Sequence, residues 1–206
     1  MRLISTLLNF FGCPGQTKRK GGELSEELKE YIAKSVEDFK NRPIHKTLTE
    51  RIIDITSDDN LLQVVFDNIS EKLPNDYEKE YETVMTWSKS KQAIYMVWWL
   101  EAEVNNGGYN QFYANSSGQF YKHLPEALRL IGATKFSDLT QRANNTYEKR
   151  TQYQDGTIEG FSKSYDDNPL NKFDTEFYDL YNVENLQQIQ VDYIKRHKSE
   201  FIGKQN

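Results

Sequence analysis

The run AIYMVWWL, Ala93–Leu100, most constrains what this chain can fold into. Set within SKQAIYMVWWLEAEVNN, it reads as a helix whose Ile94, Val97, Trp98, Glu101, Ala102 and Asn105 share one face. Tyr95, Trp99 and Leu100 widen that face until most of the helix surface is apolar. Such a helix cannot lie open to water and needs other elements packed round it. The run therefore predicts a central helix. It gives way to EAEVNNGGYNQFYANSSG, Glu101–Gly118, which holds four Asn, a Gln, a Gly pair and three aromatic residues.

The flanking segments carry the same helical period. SEELKEYIAKSVEDFKNRP opens with Ser25 as N-cap and Glu26 and Glu27 in the first turn. Leu28, Ile32, Val36 and Phe39 keep its spacing, and Pro43 closes it. TLTERIIDITSDDNLLQVVFDNISEKLPND reads as two helices broken at TSDDN, where Ser57 or Asp58 caps the second and Pro74 ends it. DYEKEYETVMTWS puts Tyr77, Tyr81, Val84 and Met85 on one side. Beyond the Gly pair, NQFYANSS predicts a short helix, and LPEALRLIGA a helix with Pro125 in its first turn and Gly132 at its end. KFSDLTQRANNTYEKRTQY holds Phe136, Leu139, Ala143 and Tyr147 in register, and DGTIEGFSKSYDDNPLNK reads as a polar loop. FDTEFYDLYN and VENLQQIQVDYIKRHKSEF close the chain as helices. No segment alternates apolar and polar residues as a strand does. The fold class is all-α, a single multi-helix domain over 23–206 with about eight to ten helices.

Residues 1–22 stand apart. CPGQTKRKGG, 13–22, is a linker by its Pro, its close glycines and its three consecutive basic residues. MRLISTLLNFFG before it is amphipathic and predicts a flexible or loosely docked N-terminal segment. An alternative reading is a short lipoprotein signal ending at Cys13, which would anchor the chain through lipid. No stretch approaches the roughly 20 apolar residues of a membrane span, so a cytoplasmic protein without a transmembrane segment is expected.

Cys13 is the single cysteine, which excludes an internal disulfide and a cysteine-based zinc site. His45, His123 and His197 lie far apart, and none stands in a metal-binding or catalytic frame. No glycine-rich phosphate loop, no EF-hand and no marked nucleophile–base pair occurs. Neither cofactor nor metal is expected, and the chain reads as non-enzymatic. A net charge of −5 gives no footprint for direct nucleic-acid binding. The acidity is concentrated, with nine acids against two lysines in 54–82 and again in 151–194. These runs are either solvated faces or a surface for a basic partner. The candidate partner surface comprises Asp58, Asp59, Asp67, Glu71, Asp76, Glu78, Asp166, Asp167, Asp174, Glu176, Asp179 and Glu184.

The polar cluster admits two readings. In the structural one, Gly107 takes the left-handed position closing the central helix, Gly108 allows a tight turn and Asn110 caps the next helix. Glu101 and Asn105, four apart on the apolar face, then hold the corner from below. A buried Glu needs hydrogen-bond partners or a raised pKa. In the functional reading, the corner of Glu101, Asn105, Asn106, Gly107, Gly108, Tyr109, Gln111, Phe112 and Asn115 is a small-molecule or peptide pocket, with Tyr109, Phe112 and Tyr113 as walls.

EVNNGGYNQFYANSSG resembles the signature of the DNA-mimic protein 19 family, whose shared domain is otherwise catalogued as one of unknown function. FDTEFYDLYNVENLQQIQVDYIKRHKSEF resembles that family's end, and LPEALRLIGA also fits. The resemblance covers roughly residues 55–202. It implies an all-helical bacterial domain. For the member that named the family, it also implies a dimer whose acidic surface imitates the DNA backbone and occupies a repressor-type transcription factor. The function expected on this basis is protein–protein binding, with a basic DNA-binding protein as partner and a homodimer as the assembly.

Overall fold

A computed structural model describes residues 25–149 and 168–203, and among these every regular element is helical. The N-terminal segment 1–22, Cys13 and most of the expected polar loop lie outside the described residues. The chain divides into two compact units, Met1–Ile44 and His45–Asn206.

The first unit contributes α1 (Glu26–Lys40). Ser25 is its N-cap, with Oγ accepting from Leu28 N at 3.3 Å, and none of its residues is buried.

The second unit holds α2 (Glu50–Ile55), α3 (Asp58–Ser70), α4 (Glu80–Met85), α5 (Lys89–Ala114), α6 (Leu124–Ile131), α7 (Thr134–Glu148), α8 (Asn171–Leu180) and α9 (Leu186–Arg196). Together with α1 this makes nine α-helices among the described residues, the all-α fold that the periodicity predicts. Ser57 stands at the N-cap of α3, although its side chain makes no capping bond. Pro125 lies in the first turn of α6, and Gly132 closes that helix in the left-handed conformation at φ 101°.

The central helix is α5. Ala93 to Trp98 are all buried, as are Leu100, Ala102 and Val104. α3, α6 and α8 pack on it, α7 covers α6 and α8, and α9 lies against α3 and α6. Rings fill much of this core. Phe66 stacks on Trp98 at 3.7 Å between centroids, and Tyr95 meets Trp87 and Phe120 edge-on. Each such pair adds about 0.5–1.5 kcal/mol to the burial of its area. Among the described residues no helix is long and apolar enough to cross a membrane.

Candidate functional site: the Gly107–Gly108 joint

α5 does not end at its glycine pair. It bends there, with Gly107 at φ −159° and Gly108 at φ 75°, ψ −177°, and resumes from Tyr109. This corrects the expectation that Gly107 closes the helix in the left-handed conformation. The positive φ belongs to Gly108, which no other residue type adopts cheaply. Asn110 caps no helix; it lies buried inside the resumed part of α5.

A helix that restarts exposes backbone N–H groups needing acceptors. The acceptor here comes from another element. Asp174, on α8, takes the Tyr109 N–H on Oδ1 at 2.7 Å. A Cβ on Gly108 would stand 2.6 Å from Asp174 Cγ and closer still to Oδ2, so the side chain of position 108 must be absent for this approach. Tyr178, one turn further along α8, donates its hydroxyl to the Val104 carbonyl at 2.9 Å, on the other side of the bend. Burial pushes the Asp174 carboxyl up to about 6, against the opposing pull of the Tyr109 N–H.

Glu101 is 4% exposed and is held by the two C-terminal helical segments. Tyr181 donates to Oε1 at 2.5 Å and Gln190 Nε2 to Oε2 at 3.0 Å. Burial raises the Glu101 carboxyl above its ordinary value, opposed by these two hydrogen bonds. Tyr181 also bonds Asn105, and its own hydroxyl is pushed well up by burial and by the Glu101 charge. Glu101 and Asn105 thus share Tyr181 as a partner. A second carboxylate, Glu103, accepts from Gln111 Nε2 at 2.6 Å and from Asn115 Nδ2 at 2.7 Å on the same oxygen. It ties the helix before the bend to the helix after it.

The remaining corner residues divide between core and surface. Tyr109 and Phe112 are fully buried and Tyr113 nearly so. Tyr109 bonds Thr140 at 3.0 Å, and Tyr113 bonds Asn144 at 2.7 Å and stacks on Tyr147 at 4.0 Å. These rings pack the inside of the domain. Asn106 is exposed.

The acids expected on a partner surface do not act as a set. Asp67 is 7% exposed and is bonded by Gln63, so it is not a surface residue. Asp58 pairs with Lys195 and accepts from Gln188, and the lysine lowers its pKa. Glu176 pairs with Arg142, which lowers its pKa in the same way. Asp174 faces the joint, and Glu184 accepts from Phe136 N at the start of α7 at 3.3 Å. Asp166 and Asp167 lie outside the described residues. Asp59, Glu71, Asp76, Glu78 and Asp179 are exposed.

Sequence reading missed Glu103, Asp174 as a joint residue, Tyr178, Tyr181 and Gln190. A signal was there for three of them. Asp174, Tyr178 and Tyr181 stand at i, i+4 and i+7, a polar stripe beside the apolar Phe173 and Phe177 of the same helix.

The bend, the glycine pair and the α8 stripe occupy one stretch of a known family. A family model described as DMP19-like protein matches residues 85–197, more than half of the chain. The chain belongs to the DMP19-like family. The match begins later than the residue 55 suggested by the resemblance, so α2 and α3 lie outside it. Both halves of the joint lie inside the DMP19-like region. No curated protein and no solved structure matches the chain.

Proposed function

We propose that this DMP19-like protein acts by binding another protein, without a catalytic step of its own, and that its partner is a basic DNA-binding protein. The supporting observation is Tyr77, 86% exposed between Asp76 and Glu78 in the connection from α3 to α4. Glu71 and Glu82 are exposed in the same region, against Lys72 and Lys79. An exposed aromatic ring among carboxylates suits a cationic protein surface, since Tyr and Arg are the residues that anchor interfaces.

The joint supports the non-catalytic reading through Glu101, whose two oxygens both accept from donors of the same chain and which is buried from any substrate. The DNA-mimic form of this reading rests on fewer carboxylates than the sequence suggests, because Asp58, Asp67, Asp76, Asp174, Glu176 and Glu184 are already engaged within the fold.

The test is a capture experiment with the immobilised full chain, repeated with Glu71→Gln, Asp76→Asn, Glu78→Gln and Glu82→Gln combined. The reading expects a basic DNA-binding protein whose capture falls steeply with salt, is competed by duplex DNA and is lost in the combined variant. Capture that ignores both salt and the four substitutions refutes it.

A further inference from the structure

A cavity of about 270 Å³ opens where the first turns of α5 meet α6, lined by none of the joint residues. Its lining combines two chemistries. Met96, 1% exposed, and Leu130, 44% exposed, provide apolar walls. Lys89 and Arg129 provide cations, and both are exposed. The Arg129 guanidinium makes no hydrogen bond or ion pair with any described residue, and the Lys89 ammonium makes a single long contact, 3.4 Å to Gln92 Oε1. Among the described residues, most of their donors are therefore unspent. Arg129 alone carries five N–H groups in a plane that matches a carboxylate. His123 also lines the cavity, with its Nε2 already bonded to Tyr81 at 2.9 Å.

We propose that this cavity binds a small aliphatic monocarboxylate, with the carboxylate on Arg129 and Lys89 and the chain against Met96 and Leu130. The class follows from charge and size. Glu126 lines the same cavity, so the lining holds two cations and one anion, a net single positive charge. That balance favours a monoanion over a dianion such as phosphate, which would bring its second charge against Glu126. At about 30 Å³ for each water-sized group, the volume holds about nine such groups, enough for a short acid. Met96 is unbranched and adapts to chains of different shape. The apolar walls demand a tail, because acetate would leave Leu130 in water as it is now.

The site is independent of the partner surface proposed above and can fail without it. The experiment is a titration of the full chain with hexanoate, followed by amide NMR, with hexan-1-ol and inorganic phosphate as separate probes. Saturable shifts confined to residues 89–96 and 123–130 are expected with hexanoate. Hexan-1-ol and phosphate should each bind at least about tenfold more weakly. Arg129→Gln with Lys89→Gln should weaken hexanoate at least about tenfold and leave hexan-1-ol unchanged. Both side chains are exposed, so the variant keeps its fold, checked by circular dichroism. Leu130→Gln should weaken hexanoate and leave acetate unaffected. The proposal is overturned by absence of saturation in the millimolar range, by equal binding of hexanoate and hexan-1-ol, or by indifference to the double substitution.

Discussion

Replacing Gly108 by alanine separates two costs that the joint combines. The first is conformational. At φ 75°, ψ −177° a residue with a Cβ is strained by about 1–3 kcal/mol. The second is steric and polar. The new methyl would stand 2.6 Å from Asp174 Cγ and 2.8 Å from its Oδ1, so the carboxylate must withdraw from the Tyr109 N–H. Losing a capping acceptor costs about 1 kcal/mol at a partly exposed site. The sum is about 2–4 kcal/mol, which lowers Tm by about 5–15 °C for a chain of this size. Urea unfolding at neutral pH measures it. Asp174→Ala supplies the second arm of a double-mutant cycle, because it removes the group the methyl strikes and leaves the φ strain. The coupling energy should then be about 1 kcal/mol. Gly107→Ala is the comparison. Its φ of −159° is open to other residues, but its Cβ would push the Gln111 amide off Glu103, one hydrogen bond, so it should cost about 1 kcal/mol, less than Gly108→Ala. If Gly107→Ala proves as costly as Gly108→Ala, or Gly108→Ala costs under about 0.5 kcal/mol, the geometric account of the bend is wrong.

The same contacts govern three further outcomes. Burial holds the Asp174 carboxyl at about 6 against 3.8 in the free residue, so its contribution to stability is full below pH about 4 and is lost as pH rises through about 6. The shift bounds that loss at about 3 kcal/mol, reduced to about 1–2 by the partial exposure of the group, and Asp174→Asn should flatten the Tm–pH curve across this window. Unchanged curvature in the variant would contradict it. Glu101→Ala leaves the Tyr181 hydroxyl and the Gln190 amide without their acceptor and should cost about 3–5 kcal/mol in urea unfolding. Glu101→Gln keeps an acceptor for Tyr181, should cost less than about 1 kcal/mol, and should gain on the parent protein as pH rises, since the raised Glu101 carboxyl loses stability on ionising. Asp58 is committed to Lys195, so Asp58→Asn should leave partner capture unchanged where the Glu71–Glu82 substitutions abolish it.

Features legible in the sequence were local, and those that were not are set by distant partners. The apolar run Ala93–Leu100 announces a central helix because burial on most sides leaves a mark in every residue of it. Ser25, Pro125 and Gly132 mark helix ends because caps act within a turn. The choice between Gly107 and Gly108 is different in kind. Asp174 decides it, 65 residues beyond Tyr109, by occupying the space a side chain at 108 would need. Glu101 was legible as an inward carboxylate, but its partners lie 80 and 89 residues away. Two members of the acidic runs were hidden for the same reason. A carboxylate facing solvent and one capping a distant helix look alike in one dimension, and Asp174 and Glu184 are of the second sort.

The joint also gives a physical reason for the two most distinctive segments to belong together. A central helix restarted inside a domain presents backbone donors where water is scarce, and an orphaned donor there costs about 1–3 kcal/mol. EVNNGG creates that liability at the Tyr109 N–H, and DTEFYDLY answers it with the Asp174 carboxylate, while the Tyr178 hydroxyl one turn further along α8 donates to the Val104 carbonyl on the other side of the bend. Glu101 extends the same logic one turn back, since Tyr181 is the next residue of the α8 stripe. Changing either segment alone should therefore destabilise the domain, whereas exchanging both as a matched pair between two such proteins should preserve it. A chimera carrying only a foreign α8 should unfold earlier than one carrying both foreign segments. Equal stability of the two chimeras would mean that the bend stands without its clasp.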